Sequence, residues 1–297
     1  MSTTKKRKLM QLLYQLTAII IILLLVGCGK SKTSGKVKPD EGKAEGTTQQ
    51  EVKPASQQSN QTTQQNIQQD ADPKQQDTTP TESNPPSTAG QSLGAYLEAK
   101  NRLVSILSDA LTSNPGTELI SMKFFDITMA DISLLPASSF GFGQEVAAAS
   151  LEVLGMKDVE YSESGNKYSV KYRNAEGIQC ELQGEYDKAA DALKCISIID
   201  GKESLISENR KTSFGYISQI YTINEDGSSF IYQLAISGED GAVGISNVSS
   251  APPALTGNEA IDFPKQCQEW YAIKGKEVTG VTSDGKEISF EYTRPEN

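Results

Sequence analysis

No histidine occurs anywhere in the 297 residues. That excludes Ser-His-Asp and Cys-His catalysis, histidine-ligated metals and the usual general base near neutral pH. Cysteine is scarce, with four in the chain and no C-x-x-C pair. There is no phosphate-cradling P-loop and no Rossmann glycine fingerprint. Basic residues are thin in the C-terminal part: residues 93–297 hold 17 Lys and Arg against 30 Asp and Glu, a net charge of −13. A domain of that sign without a Lys/Arg cluster repels phosphate backbones, which argues against nucleic acid as a partner. The acidity reads as a solvated, soluble surface.

Residues 29–92 contain no aromatic side chain, and their only large aliphatics are Val37, Val52 and Ile67, scattered among Gln, Thr, Ser, Lys and Pro. A tract of this kind buries too little apolar surface to offset the entropy of ordering it, so it reads as a disordered linker. As a flexible coil it would reach about 40 to 50 Å. It separates an apolar N-terminus from a C-terminal part that holds nearly all the aromatics and is long enough for one sizeable core.

The N-terminus opens with a basic cluster, Lys5 to Lys8, followed by a mostly apolar stretch from Leu9 to Val26 that is densest over AIIIILLLV, residues 18–26. It ends in Leu25-Val26-Gly27-Cys28, and polar low-complexity sequence starts at once. This resembles the signal peptide of bacterial lipoproteins. The resemblance covers residues 1–28 and implies removal of 1–27, lipidation of the Cys28 thiol and anchoring in the cell membrane on its extracytoplasmic face. Two or more acyl chains hold a protein stably where one does not, each buried methylene contributing about 0.8 kcal/mol. An uncleaved span over Leu9 to Cys28 is the alternative, weakened by Gln11, Tyr14 and Gln15. Either way the basic cluster stays inside and the remainder is exported. The expected organisation is a signal peptide (1–27), an anchored linker (28–92) and one domain (93–297).

Within that domain, Leu93, Leu97, Val104, Leu107 and Leu111 form one stripe of an amphipathic helix, stopped by Asn114-Pro115-Gly116, and a second helix is expected over Gln144 to Leu154. From Asp158 the period changes to two. A hairpin loop at Gly165-Asn166 sets Tyr161 opposite Val170 and Glu160 opposite Lys171. A turn centred on Ala175 sets Tyr172 opposite Ile178 and Val170 opposite Cys180. One between Asp187 and Lys188 sets Leu182 opposite Leu193 and Cys180 opposite Cys195. The resulting inner face carries Val159, Tyr161, Tyr168, Val170, Tyr172, Ile178, Cys180, Leu182 and Leu193. Its outer face carries Glu160, Ser169, Lys171, Gln179, Glu181, Gln183 and Lys194. Further hairpins are expected at Asp226-Gly227, where Tyr221 and Ile223 meet Tyr232 and Phe230, at Asp240-Gly241 and at Asp284-Gly285. The fold class is α+β: N-terminal helices on one face of an antiparallel meander of seven to nine strands.

Opposed strand positions suit a disulfide, so a Cys180 to Cys195 bridge is expected, with Cys267 unpaired. The alternative is that both are reduced, buried small side chains. Ser164 with Lys167 and Ser283 with Lys286 match S-x-x-K, but both lie in hairpin turns without S-D-N or K-T-G partners, so no catalytic role is read from them. The acidic turns at Asp187 and Asp191, Glu225-Asp226 and Glu239-Asp240 lack calcium-loop spacing, and Trp270-Tyr271 reads as core. No catalytic, cofactor or metal residue is assigned. The function expected is a non-enzymatic binding or structural role at the cell envelope, toward an envelope protein or wall polymer. A half-open barrel carrying a hydrophobic or acyl ligand is one alternative, and a carboxylate-only hydrolase is another.

Overall fold

The computed structural model describes residues 88–294. Cys28, the lipobox and the expected linker up to residue 87 lie outside the described residues, whereas residues 89–92, expected to end the linker, belong to the first helix.

Helix α1 (Ala89–Ser113) starts four residues before the expected stripe, because Thr88 caps it: the Thr88 hydroxyl accepts from the Gln91 amide at 3.2 Å. Its buried positions include Leu93, Tyr96, Leu103, Val104, Leu107 and Leu111, so the helical period read from sequence holds. A short 3₁₀ turn (Ile120–Lys123) leads into α2 (Phe124–Leu134), and a second (Leu135–Ser139) follows it. Helix α3 (Gln144–Val153) lies where the second helix was expected. Nothing in the periodicity of 117–143 announces α2, because its apolar residues run all round the helix.

Eleven strands follow: β1 (Lys157–Ser164), β2 (Lys167–Arg173), β3 (Gln179–Asp187), β4 (Ala192–Ile199), β5 (Lys202–Thr212) and β6 (Gly215–Ile223), then β7 (Ser229–Ser237), β8 (Asp240–Asn247), β9 (Glu269–Lys274), β10 (Glu277–Val281) and β11 (Glu287–Glu291). They pair in sequence order as one antiparallel meander, two to four strands more than expected.

The first hairpin has the predicted register, with Tyr161 opposite Val170 and Glu160 opposite Lys171, and a bulge between Lys157 and Glu160. The next two turns lie further along than expected. The β2–β3 loop is closed by the Asn174 amide on the Ile178 carbonyl, so Tyr172 faces Cys180, Val170 faces Leu182 and Ile178 belongs to the loop. At the β3–β4 turn, Asp187 Oδ1 accepts from the amides of Ala189 and Ala190, making Asp187 the first residue of the turn rather than its centre. These displacements shift pairing by two and four positions. Even shifts leave every side chain on its face, so Val170, Tyr172, Cys180, Leu182 and Leu193 are buried together.

The expected β6–β7 register is one position off: Tyr221 faces Ile231, and Ile220 faces Tyr232. A five-residue loop closed by Asn224 and Ser228 replaces the expected two-residue one. That odd shift puts Tyr221 on the face opposite Tyr232. The β7–β8 turn is Gly238-Glu239, two positions before the Asp240-Gly241 expected, since Ser237 pairs with Asp240.

One apolar cluster joins α1, α2, the second 3₁₀ turn and α3 to the sheet, through residues such as Leu103, Phe124, Phe140, Leu151, Leu182 and Tyr271. Gly184 is required at its centre: a Cβ there would come within 2.2 Å of the Phe140 ring, which stacks on Tyr168 across from it at 5.0 Å. A smaller cluster of Ile217, Ala235, Leu255 and Phe263 lies under residues 248–268 on the other face. There Leu255 is held at both ends, its amide donating to Glu208 at 3.0 Å and its carbonyl accepting from Arg210 at 3.1 Å. Among the described residues no helix is long and apolar enough to cross a membrane.

Candidate recognition cleft

The α1–α2 connection and the last hairpin approach one another and leave an open cleft of about 670 Å³. Its helical wall is the segment from Asn114 to Lys123, and its sheet wall is Thr282 to Phe290. The helical wall forms because Asn114 ends α1 and Thr117 turns the chain, its hydroxyl donating to the Leu111 carbonyl at 2.7 Å. The sheet wall forms because Thr282 and Lys286 close the β10–β11 loop, the Thr282 amide donating to the Lys286 carbonyl at 3.0 Å.

A polar bridge ties the two walls. Lys123 Nζ donates to both carboxylate oxygens of Glu269 at 2.8 and 2.5 Å, and to the Ser283 hydroxyl at 3.2 Å. The Tyr271 phenol donates to the same carboxylate at 2.6 Å. Glu269 is buried, so a lone carboxylate there would be costly, and these donors compensate it. Burial, then the adjoining Glu269 carboxylate, pushes the Tyr271 phenol well above its usual value, which keeps it a donor.

A serine beside a lysine is the arrangement of a base-activated nucleophile. Here Lys123 donates to three oxygens, two of Glu269 and one of Ser283, and so ties the helical wall to the sheet wall. The S-x-x-K partner Lys286 instead donates its backbone amide to the Thr282 hydroxyl at 3.1 Å. Ser164 and Lys167 simply flank the β1–β2 turn.

The expected Cys180 to Cys195 bridge is not formed. Cys180 faces Ile199 and Cys195 faces Gly184, four positions apart along the strand pair, and both thiols are free and buried. Four positions is about 13 Å of strand, beyond the roughly 7 Å between Cα atoms that a disulfide spans. The cause is the displaced β3–β4 turn. Cys267 is also free and half-buried, its thiol donating to Gln233 Oε1 at 3.3 Å. The lipidation residue Cys28 lies outside the described residues.

Of the acidic turn residues, Asp226 makes polar contacts within its own turn, and Asp240 and Glu239 make theirs to distant elements. Asp226 Oδ1 accepts from the Ser228 amide at 2.9 Å, Asp240 accepts from Gly275 at 2.8 Å, and Glu239 pairs with Arg294. Asp191 is buried under α1, accepting from Ser92 at 2.6 Å and Tyr186 at 3.1 Å. No metal-sized group of three acidic or cysteine ligands occurs among the described residues. Of Trp270-Tyr271, Tyr271 is core, whereas Trp270 is half-exposed on the other face beneath the Lys265 ammonium. The cleft itself was missed from sequence, since its walls lie about 165 positions apart; the run of apolar residues around Leu119, which is 78 % exposed, is the only local hint. No protein-family model, curated protein or solved structure matches this chain.

Proposed function

We propose that the chain is an exported lipoprotein, anchored through Cys28 at the extracytoplasmic face of the cell membrane, whose domain recognises an envelope protein or wall polymer. The observation that carries the reading is Leu25-Val26-Gly27-Cys28 at the end of an apolar run behind a basic cluster. The tether after it gives the domain a reach of about 40 to 50 Å as a coil, which suits a role away from the bilayer.

Recognition at the surface, rather than carriage of an apolar ligand, is supported by what occupies the inner face of the sheet. Tyr96, Leu103, Leu107, Phe124 and Phe140 are fully or almost fully buried in one cluster with the strand residues, so the helices serve as the cover of that face. The open cleft, with a polar bridge at its base and apolar side chains on both walls, suits a polymer segment better than an enclosed small molecule.

The test is fatty-acid labelling of cells producing the full chain. Label on the wild type, and its loss with accumulation of precursor in Cys28→Ala, is expected. Identical processing and membrane retention in both would overturn the anchor. An acyl ligand extracted from the purified protein in stoichiometric amount would replace recognition by carriage.

A further inference from the structure

An eleven-stranded meander has two edges, and this protein treats them differently. The β1 edge is blunted. It carries a bulge between Lys157 and Glu160, and the Gln144 side chain on α3 occupies its backbone, accepting from the Tyr161 amide at 2.6 Å and donating to the Val159 carbonyl at 2.9 Å.

The β11 edge has no such cover among the described residues. The Tyr292 amide donates to the Lys276 carbonyl at 2.7 Å, and the pair Thr282 and Lys286 is likewise bonded, so the even-numbered residues of β11 bond to β10. By the alternation of an antiparallel ladder, the N–H and C=O groups of Glu287, Ser289 and Glu291 point to the free edge. That edge borders the cleft, whose lining includes the consecutive residues from Lys286 to Phe290.

We infer that β11 is a docking edge that takes an extended polypeptide as a twelfth strand, with alternating apolar and basic side chains. The alternation follows from the two faces. On one, Ile288 and Phe290 pack at the border of the core, and Leu119 and Ile120 face them across the cleft, so the positions beside them want apolar side chains. On the other, Glu287 and Glu291 are exposed, so the positions beside these want lysine or arginine. The same glutamates disfavour pairing of two copies through β11, which would set like charges against one another. This deepens the recognition role proposed above and rests on it, but does not depend on lipidation at Cys28.

The experiment measures binding of short synthetic peptides, blocked at both ends, to the full-length chain in mild detergent. A peptide alternating lysine and valine is expected to bind, and one with the same composition in two blocks is not. N-methylation of its alternate amides should abolish binding in one parity and spare it in the other. Ser289→Pro removes a free-edge donor without touching a bond to β10, so the fold is kept while affinity falls by roughly fivefold to tenfold; Ser289→Ala binds as wild type. Glu287→Lys with Glu291→Lys should reverse the preference toward a glutamate–valine peptide.

Equal binding of the block peptide, or indifference to Ser289→Pro, overturns the inference. So does self-association of the chain that Ser289→Pro abolishes, which would make a second copy the occupant. If crosslinking to envelope material in cells persists unchanged in Ser289→Pro, the recognition role stands and the edge-pairing mode fails.

Discussion

The phenol of Tyr96 donates to the Ser218 hydroxyl at 2.7 Å, joining the middle of α1 to β6 across 122 positions of chain, and both residues are fully buried. Neither group has water to fall back on, so the bond matters mainly through what its loss leaves unsatisfied. Tyr96→Phe is expected to cost about 1–3 kcal/mol. Adding Ser218→Ala should recover part of that, because the orphaned hydroxyl is then gone. Urea midpoints of the three variants measure it, and additive losses would contradict the account.

Lys100 is completely buried and pairs with Asp131, tying α1 to α2. Burial draws the lysine down from its usual value and pushes the aspartate up, with each partner's charge working against that shift. Removing one member strands the other. Lys100→Met alone should therefore cost about 3–5 kcal/mol, whereas Lys100→Met with Asp131→Leu should be as stable as the wild type or more so. Denaturant unfolding decides between this and a pair that is strongly stabilising on its own, for which the double variant would be the worst.

The three cysteines of the domain should react with iodoacetamide in a fixed order at neutral pH. The thiolate is the reactive form, and burial pushes the Cys195 thiol up to about 12. Cys180 is buried as well, while Cys267 is half-buried. Peptide mapping of native protein should show Cys267 modified first and Cys195 last. Modification of Cys195 ahead of Cys267 would mean that Cys195 is not buried beneath the helices as described.

Acid should loosen the segment over the outer cluster before the rest of the domain. Burial by itself would raise Glu259, but donors outweigh it: the Thr256 amide at 2.6 Å, the Gly257 amide at 2.7 Å and the Thr256 hydroxyl at 3.0 Å, which together hold its carboxyl below the usual range. A group depressed in the folded state contributes stability above its unfolded value, near about 4.3, and loses it as pH falls through the folded one. Hydrogen exchange at Leu255 and Gly257 should therefore accelerate below about pH 4, and Glu259→Gln should show the faster exchange already at neutral pH. Identical exchange in the two proteins across that range would remove Glu259 from this role.

Much of the fold was legible because its signals are local. The stripe of α1 and the alternation from Asp158 onward each depend on residues a few positions apart, and the burial of Leu93, Leu107, Val170 and Leu182 bears them out. Turn residues were read correctly where the loop is a minimal one, as at Gly165-Asn166. They were misread where an aspartate or asparagine side chain lengthens the loop, as with Asp187 and Asn174.

What the sequence by itself determined is parity over β2 to β4, which residues there share a face, and which part of the chain can hold a core. Parity survives a shift of two or four positions, so the faces of β2 to β4 were right although two turns were not. Only the tertiary structure decided register and neighbourhood. Register separated Cys180 from Cys195, and neighbourhood brought Lys123 to Glu269 and left β11 beside an open cleft while Gln144 closed β1. The physical reason is that alternation is set by backbone geometry residue by residue, whereas a contact between distant positions is set by the sum of every turn between them.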